Sequence, residues 1–367
     1  MNFVDNHSDL NTVNYLSKSV ETEVMEKALN HSGLVQKEVT VQGKTGTFTR
    51  KQWVKVGEEL KSEDNTGKRE QLPATPFNIT DRTKHLIPIE QMKELPQFIK
   101  DLDKPIPPNW RNVMVSPTPD ADILVIGKDD MDRPQYIYSK TYVEKGKAEK
   151  FERVQALMKS KDVLVKAISS MKDRDTADCL YLILNMGIRP GSTRDTKAKT
   201  EALGATTLRG ENVVEENDRV YLRFIGKKGV KQDHLVPSAE LSKMLMERKE
   251  KAGDHGDLFN TTDIKLRKAL TPLGVKPKDL RTMLATSTAQ KVLSEIPPVT
   301  DPKDFAKVRN QVGEVVCGLL GNQRNMALNA YIDPSVFEIW SAEGVKNWKA
   351  YESEKRQQKQ VKKETEQ

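Results

Sequence analysis

Two cysteines in 367 residues, Cys179 and Cys317, cannot build a disulfide framework, and both sit in apolar surroundings that suit reduced core thiols. A reducing compartment is expected. No run reaches the ~20 apolar residues of a membrane-spanning helix, and the N-terminus lacks a basic segment followed by an apolar one. Neither a membrane anchor nor a signal peptide is expected. Histidine is scarce as well: His7, His31, His85, His234 and His255 show no ligand spacing among themselves or with the cysteines, which leaves no metal motif. Gly43-Lys44-Thr45 imitates the end of a phosphate-binding loop, but the required upstream glycine position holds Glu38, which excludes that nucleotide motif.

What is present is a mild basic excess and a change of texture along the chain. Lys+Arg outnumber Asp+Glu by 60 to 53, and the pI near 9.0 favours a polyanionic partner without identifying one. Residues 1–72 form a polar extension with one island of strand character at 38–49, where Gly43 and Gly46 can turn a hairpin, and a charged linker over 58–71. Residues 73–146 are rich in proline and carry short β-type runs such as Val113-Met114-Val115 and Ile123-Leu124-Val125-Ile126, which predicts a small, mostly β domain. From 147 to 348 apolar residues recur at helical spacing, as in Ala177, Leu180, Tyr181 and Leu184, with breaks at Pro272, Pro297-Pro298 and Gly321. Residues 349–367 form a charged tail, expected as a solvated helix or as disordered chain. The expected class is α+β, a β-rich N-terminal domain followed by a mainly helical one.

Four segments carry chemistry. Met186-Gly187-Ile188-Arg189 places an arginine just beyond an apolar helix, where the chain turns. Gly226-Lys227-Lys228-Gly229 separates two strand-like runs and predicts a hairpin with a basic tip. Lys278-Asp279-Leu280-Arg281 opens a helix with an apolar face, where a surface salt bridge is the plain structural reading of Arg281. Asn322 is followed nine positions later by Tyr331, a residue that in such a place is ordinarily core.

Taken in this order, Arg189, the hairpin Lys227, Arg281 on a helix, Asn322 and then Tyr331, the chain resembles the type IB DNA topoisomerases, in particular their short bacterial and poxvirus-like forms. The resemblance runs from about Leu95 to Trp340 and includes Pro105-Ile106-Pro107-Pro108-Asn109-Trp110, Gln135-Tyr136-Ile137-Tyr138 and Gly204-Ala205-Thr206-Thr207-Leu208-Arg209. It implies a tyrosine-recombinase-like helical catalytic domain over 147–348, with Tyr331 as nucleophile, Lys227 as general acid, and Arg189, Arg281 and Asn322 around the phosphate. It further implies double-stranded DNA as partner, contacted by Tyr136, Tyr138, Lys140 and Lys228. A monomer on DNA, neither cofactor nor metal, and a cytoplasmic or nucleoid-associated location complete the expectation. Two positions depart from the pattern: Asn322 stands where the poxvirus enzymes have histidine, and Ser192-Thr193 stand where Asn-Glu is common. Two alternatives stay open, a tyrosine recombinase with the same catalytic order and a non-catalytic DNA-binding or virion protein. Against the first, Lys278 occupies the place of the usual recombinase histidine three residues before the second arginine.

Overall fold

The computed structural model describes residues 34–43, 46–55, 75–192 and 202–365; the linker expected over 58–71, Thr193 and the side chain of Lys228 lie outside the described residues. The class is α+β, with small antiparallel sheets and a larger number of helices. The chain divides into two compact units at Lys150 and Phe151.

In the first unit, β1 (Leu34–Gly43) and β2 (Gly46–Lys55) pair antiparallel with Gly43 opposite Gly46, so the glycines expected to turn the chain do so within longer arms than the island at 38–49. A second sheet has the order β3 (Ile87–Pro88), β4 (Arg111–Val115), β5 (Ile123–Lys128), β6 (Pro134–Tyr138). β5 is buried along its whole length, as a central strand without polar alternation must be. Val113, Val115, Leu124 and Val125 close over Ile99 of the short helix α1 (Gln97–Lys100). Gly127 is needed because a Cβ there would press into the Trp110 ring. β6 alternates instead, and its outward face carries Tyr136 and Tyr138, exposed and stacked with centroids 5.8 Å apart.

α2 (Lys140–Lys159) runs through the boundary expected at 146/147, because the apolar texture that marks it begins only in its second half. In the second unit α3 (Lys161–Ser169) and α4 (Arg174–Met186) precede a three-stranded antiparallel sheet, β7 (Val213–Glu216), β8 (Arg219–Ile225) and β9 (Lys231–Leu235). Then follow α5 (Ala239–Ala252), α6 (Asp263–Leu270), α7 (Pro277–Ser294), α8 (Pro302–Leu320), α9 (Arg324–Ala330), α10 (Ser335–Trp340) and α11 (Ala342–Thr365). The tail expected from 349 is thus the continuation of a helix that starts at Ala342.

α4 shows why the local sequence folds as it does. Asp173 caps its N-terminus by accepting the Thr176 amide, and Gly187 ends it with φ +62°, the left-handed conformation that glycine adopts without strain. Leu180, Leu182 and Ile183 are fully buried with Leu208, Leu222, Leu241 and Leu266. Each such side chain contributes ~1.5–3 kcal/mol by leaving water. A second cluster, built on Phe305, Val312, Val316, Ile332 and Val336, packs α8 against the segment that carries Tyr331.

Candidate active site

Each expected catalytic residue of the second unit stands just past the end of a regular element or on one whose ends are capped. Arg189 follows the Gly187 turn by two residues, and its loop is tied down by Ala205 N–H donating to the Arg189 carbonyl at 2.8 Å and Thr206 N–H to that of Pro190 at 2.8 Å. Lys227 opens the turn Lys227–Gly229 between β8 and β9 and is exposed. Asn322 follows Gly321, the left-handed terminus of α8 at φ +57°. Tyr331 is the C-terminal cap of α9, with its amide donating to the Ala327 carbonyl at 3.0 Å. Such positions let a rigid element aim the side chain it carries.

Arg281 departs most from its plain sequence reading. It lies on α7 and is 1% exposed, so it makes no surface salt bridge; its guanidinium donates to the Gly187 carbonyl and, at 3.3 Å, to that of Leu320. Those two acceptors are the end of α4 and the end of α8. One cation therefore joins the turns that present Arg189 and Asn322. Burial pulls the Arg281 pKa down to about 10, with Arg189 acting in the same direction and Tyr331 opposing it. It stays charged at neutral pH.

These groups converge on Tyr331. Arg189 Nη1 donates to the Tyr331 hydroxyl at 3.4 Å, the Arg281 guanidinium lies 5.2 Å from the ring centroid, and the Lys278 ammonium lies 5.7 Å from it. Tyr331 is 4% exposed, and burial by itself would raise its pKa; the charges of Arg281, Arg189 and Lys278 outweigh burial and hold the phenol below its ordinary value of 10.0. The backbone is held too, since Thr286 Oγ1 donates to the Tyr331 carbonyl at 3.3 Å and accepts the Asp333 amide at 3.2 Å. Asp333 in turn accepts from Gln155 at 2.9 Å.

The side-chain amide of Asn322 is buried with neither its nitrogen nor its oxygen hydrogen-bonded, and Arg281 Nε is in the same condition. Buried polar groups without partners are costly and are retained where something else is meant to satisfy them. Arg189, Lys227 and Arg281 line one narrow cleft together with Gly226, Gln232 and Gly321. A roomier cavity of about 620 Å³ lies along α4 and α5 beside Asp175, Tyr181, Glu240 and Arg248, and holds none of the expected catalytic residues. Its Arg248 is already paired with Asp175 and Asp178, each at 2.6 Å.

Tyr136, Tyr138 and Lys140 belong to the first unit. The aromatic stack continues from Tyr138 to Tyr142 at 5.1 Å, and Lys140 is exposed with Asp103 at 3.3 Å. Lys278 was not among the expected site residues. The signal for it was available, because a Lys-x-x-Arg spacing puts both cations on one face of α7. Thr286 and Asp333 had no such signal, since a backbone brace is visible only in three dimensions.

A titration follows from this field. The absorbance difference between the unmutated protein and Tyr331→Phe, followed through phenol ionisation, should show one tyrosine ionising below pH 10, and Lys278→Met should move that transition upward. A difference curve centred at or above the ordinary value would show that burial wins over the three cations.

Residues 139–363 match the family described as eukaryotic DNA topoisomerase I, catalytic core. Among individual proteins, the chain is similar to DNA topoisomerase 1B of vaccinia virus strain Copenhagen, 26% identical over 231 residues, which cover 59% of this chain and 72% of that protein. It is similar to DNA topoisomerase 1 of rabbit fibroma virus, 26% identical over 235 residues, 59% of this chain and 71% of that protein. A shorter match, 28% identical over 138 residues, covers 36% of this chain and 41% of DNA topoisomerase 1B of Acanthamoeba polyphaga mimivirus. The family match contains every residue that surrounds Tyr331.

Proposed function

We propose, from the premise that this chain belongs to the family of DNA topoisomerase I catalytic cores, that Tyr331 is the nucleophile with which it cuts and reseals one strand of duplex DNA. The chain is a type IB DNA topoisomerase, an isomerase that binds DNA and relaxes supercoils. The observation that carries the residue assignment is the convergence of Arg189, Arg281 and Lys278 on one buried tyrosine.

The Tyr331 oxygen, its proton lost to solvent in that cationic field, attacks phosphorus, and the bond from phosphorus to the 5′ oxygen breaks. Lys227 donates a proton to the departing oxygen, leaving a 3′-phosphotyrosyl link and a free 5′ hydroxyl. Arg189 and Arg281 neutralise the charge that grows on the non-bridging oxygens, a task suited to planar, permanently charged guanidinium groups. The Asn322 amide supplies a neutral hydrogen bond where the poxvirus pattern has histidine. One phosphodiester replaces another, so the intermediate keeps the energy needed for religation, and the duplex rotates about the intact strand before the 5′ hydroxyl attacks in return. This energetic balance supports a reaction driven by neither ATP nor metal.

The first unit supplies a DNA-binding face through Tyr136, Tyr138 and Lys140, and Lys228 adds charge at the hairpin; stacked, exposed aromatic rings beside cations suit nucleic acid. The enzyme works as a monomer on DNA, in the cytoplasm or on the nucleoid. No helix of the described residues is long and apolar enough to cross a membrane.

Plasmid relaxation in EDTA without nucleotide tests the reading directly. Relaxation of supercoils of either sign, with a covalent protein–DNA adduct trapped by detergent, is expected; strict dependence on a divalent ion or on one special site would overturn it. Binding should also weaken with salt along a line of log K against log[salt], with a slope of about −0.9 for each phosphate neutralised. Salt-insensitive binding would show that backbone phosphates do not carry the affinity.

A further inference from the structure

Two catalytic residues of the proposed mechanism, Lys227 and Asn322, each directly follow a glycine, and both glycines face the same side chain. That side chain is Gln232, 9% exposed on β9. A Cβ at Gly226 would come within 3.1 Å of Gln232 Cγ, and one at Gly321 would overlap the Gln232 carboxamide. The amide nitrogen donates to the Gly321 carbonyl at 3.4 Å and to the Val230 carbonyl at 3.4 Å, and so reaches the α8 terminus and the hairpin from one atom. Arg281 holds the adjacent Leu320 carbonyl at 3.3 Å. The amide oxygen pairs with His234 Nε2 at 2.9 Å, which fixes the orientation of the amide. Burial holds the His234 pKa down at about 4 against the opposing charge of Asp233, and Arg281 acts the same way as burial, so the imidazole adds no charge beside Arg281 at neutral pH.

We propose that Gln232 is a positioning residue, a wedge that locks the hairpin carrying Lys227 to the Leu320-Gly321-Asn322 turn, so that the acid and the phosphate-binding donors close on the scissile bond as one body. Lys227 itself is exposed, and a hairpin tip tethered only by its two strands would sample many positions. Gln232, a buried cross-link behind the tip, restricts it. The inference rests on the reading of Lys227 as general acid and Asn322 as phosphate donor, and needs a test that separates the two.

The measurement is single-turnover cleavage by the full chain of ordinary DNA and of DNA with sulfur at the 5′ bridging position, whose thiol leaving group departs without a proton. Gln232→Met keeps the volume and removes the polar contacts to Gly321, Val230 and His234. It should slow cleavage of ordinary DNA by roughly 10- to 100-fold, the scale of a small misplacement of a reacting group, while DNA affinity and melting temperature change little. On sulfur DNA most of the rate should return. Equal slowing on both substrates, with Lys227→Ala rescued by sulfur, overturns the inference while leaving the acid assignment intact, as does an unimpaired Gln232→Met. If sulfur fails to rescue Lys227→Ala, the acid assignment falls and the double variant decides the coupling: no further loss from Gln232→Met in the Lys227→Ala background supports the wedge, and a fully additive loss overturns it. Should Gln232→Met be too unstable to assay, His234→Phe frees the amide without vacating its site and should show the same pattern at smaller size.

Discussion

Tyr331→Phe is expected to abolish both plasmid relaxation and the detergent-trapped covalent adduct while leaving DNA affinity nearly unchanged. Only one atom is removed. The ring keeps its place beside Arg281 and Lys278, which lie 5.2 Å and 5.7 Å from its centroid. The hydroxyl's 3.4 Å contact with Arg189 is lost, a neutral-to-charged hydrogen bond whose net effect on stability is of the order of 1–3 kcal/mol. The backbone brace through Thr286 does not involve the hydroxyl, so the fold should persist. No other phenol of the second unit is comparably surrounded among the described residues. A residual adduct in the variant would move the nucleophile elsewhere, with Tyr351 of α11, beside Lys355 at 4.5 Å, the next to replace.

Lys227→Ala is expected to slow cleavage by about 10²- to 10⁴-fold, the usual consequence of losing a general acid. Its position is what suits it to that role: exposed at a turn, within a cleft whose wall is formed by Arg189 and Arg281. On DNA with a 5′ bridging sulfur the variant should cleave almost as fast as the unmutated enzyme, because a thiol with a pKa of about 8.5 leaves as thiolate. Arg189→Ala and Arg281→Ala remove the guanidinium groups proposed to neutralise the non-bridging oxygens, and should remain largely defective on the same substrate. Arg281→Ala should also lower the melting temperature, since it leaves the Gly187 and Leu320 carbonyls buried without their donor. Sulfur rescue of Lys228→Ala in place of Lys227→Ala would mean that the acid is the neighbouring residue.

Much of this architecture is legible in the chain. Gly43 and Gly46 mark a hairpin, standing opposite each other where its two strands end, and α4 announces itself by Asp173 at its start and Gly187 at its end. The strands flanking Lys227 are recognisable from their alternation, buried at Val220, Leu222 and Phe224. Helix α7 is harder to read, since Leu280, Arg281, Thr282, Met283, Ala285 and Thr286 are all buried and leave little contrast between faces. An arginine in such a stretch reads as the start of a solvated face. It is instead buried beside Tyr331, where it joins the ends of α4 and α8.

The sequence by itself carries the order Arg189, Lys227, Arg281, Asn322 and Tyr331, and its resemblance to type IB topoisomerases is what marked these residues as candidates; the left-handed turns before Arg189 and Asn322 call for the glycines found at 187 and 321. Periodicity further determined which segments are helical and which extended. The tertiary structure alone decided that Arg281 is buried against the ends of α4 and α8, that Lys278 shares the field around Tyr331, and that Gln232 stands between Gly226 and Gly321. Each of these depends on contacts between residues tens of positions apart. Local propensity senses only neighbours along the chain, whereas the field at a phenol and the fit of a side chain between two glycines are set by neighbours in space.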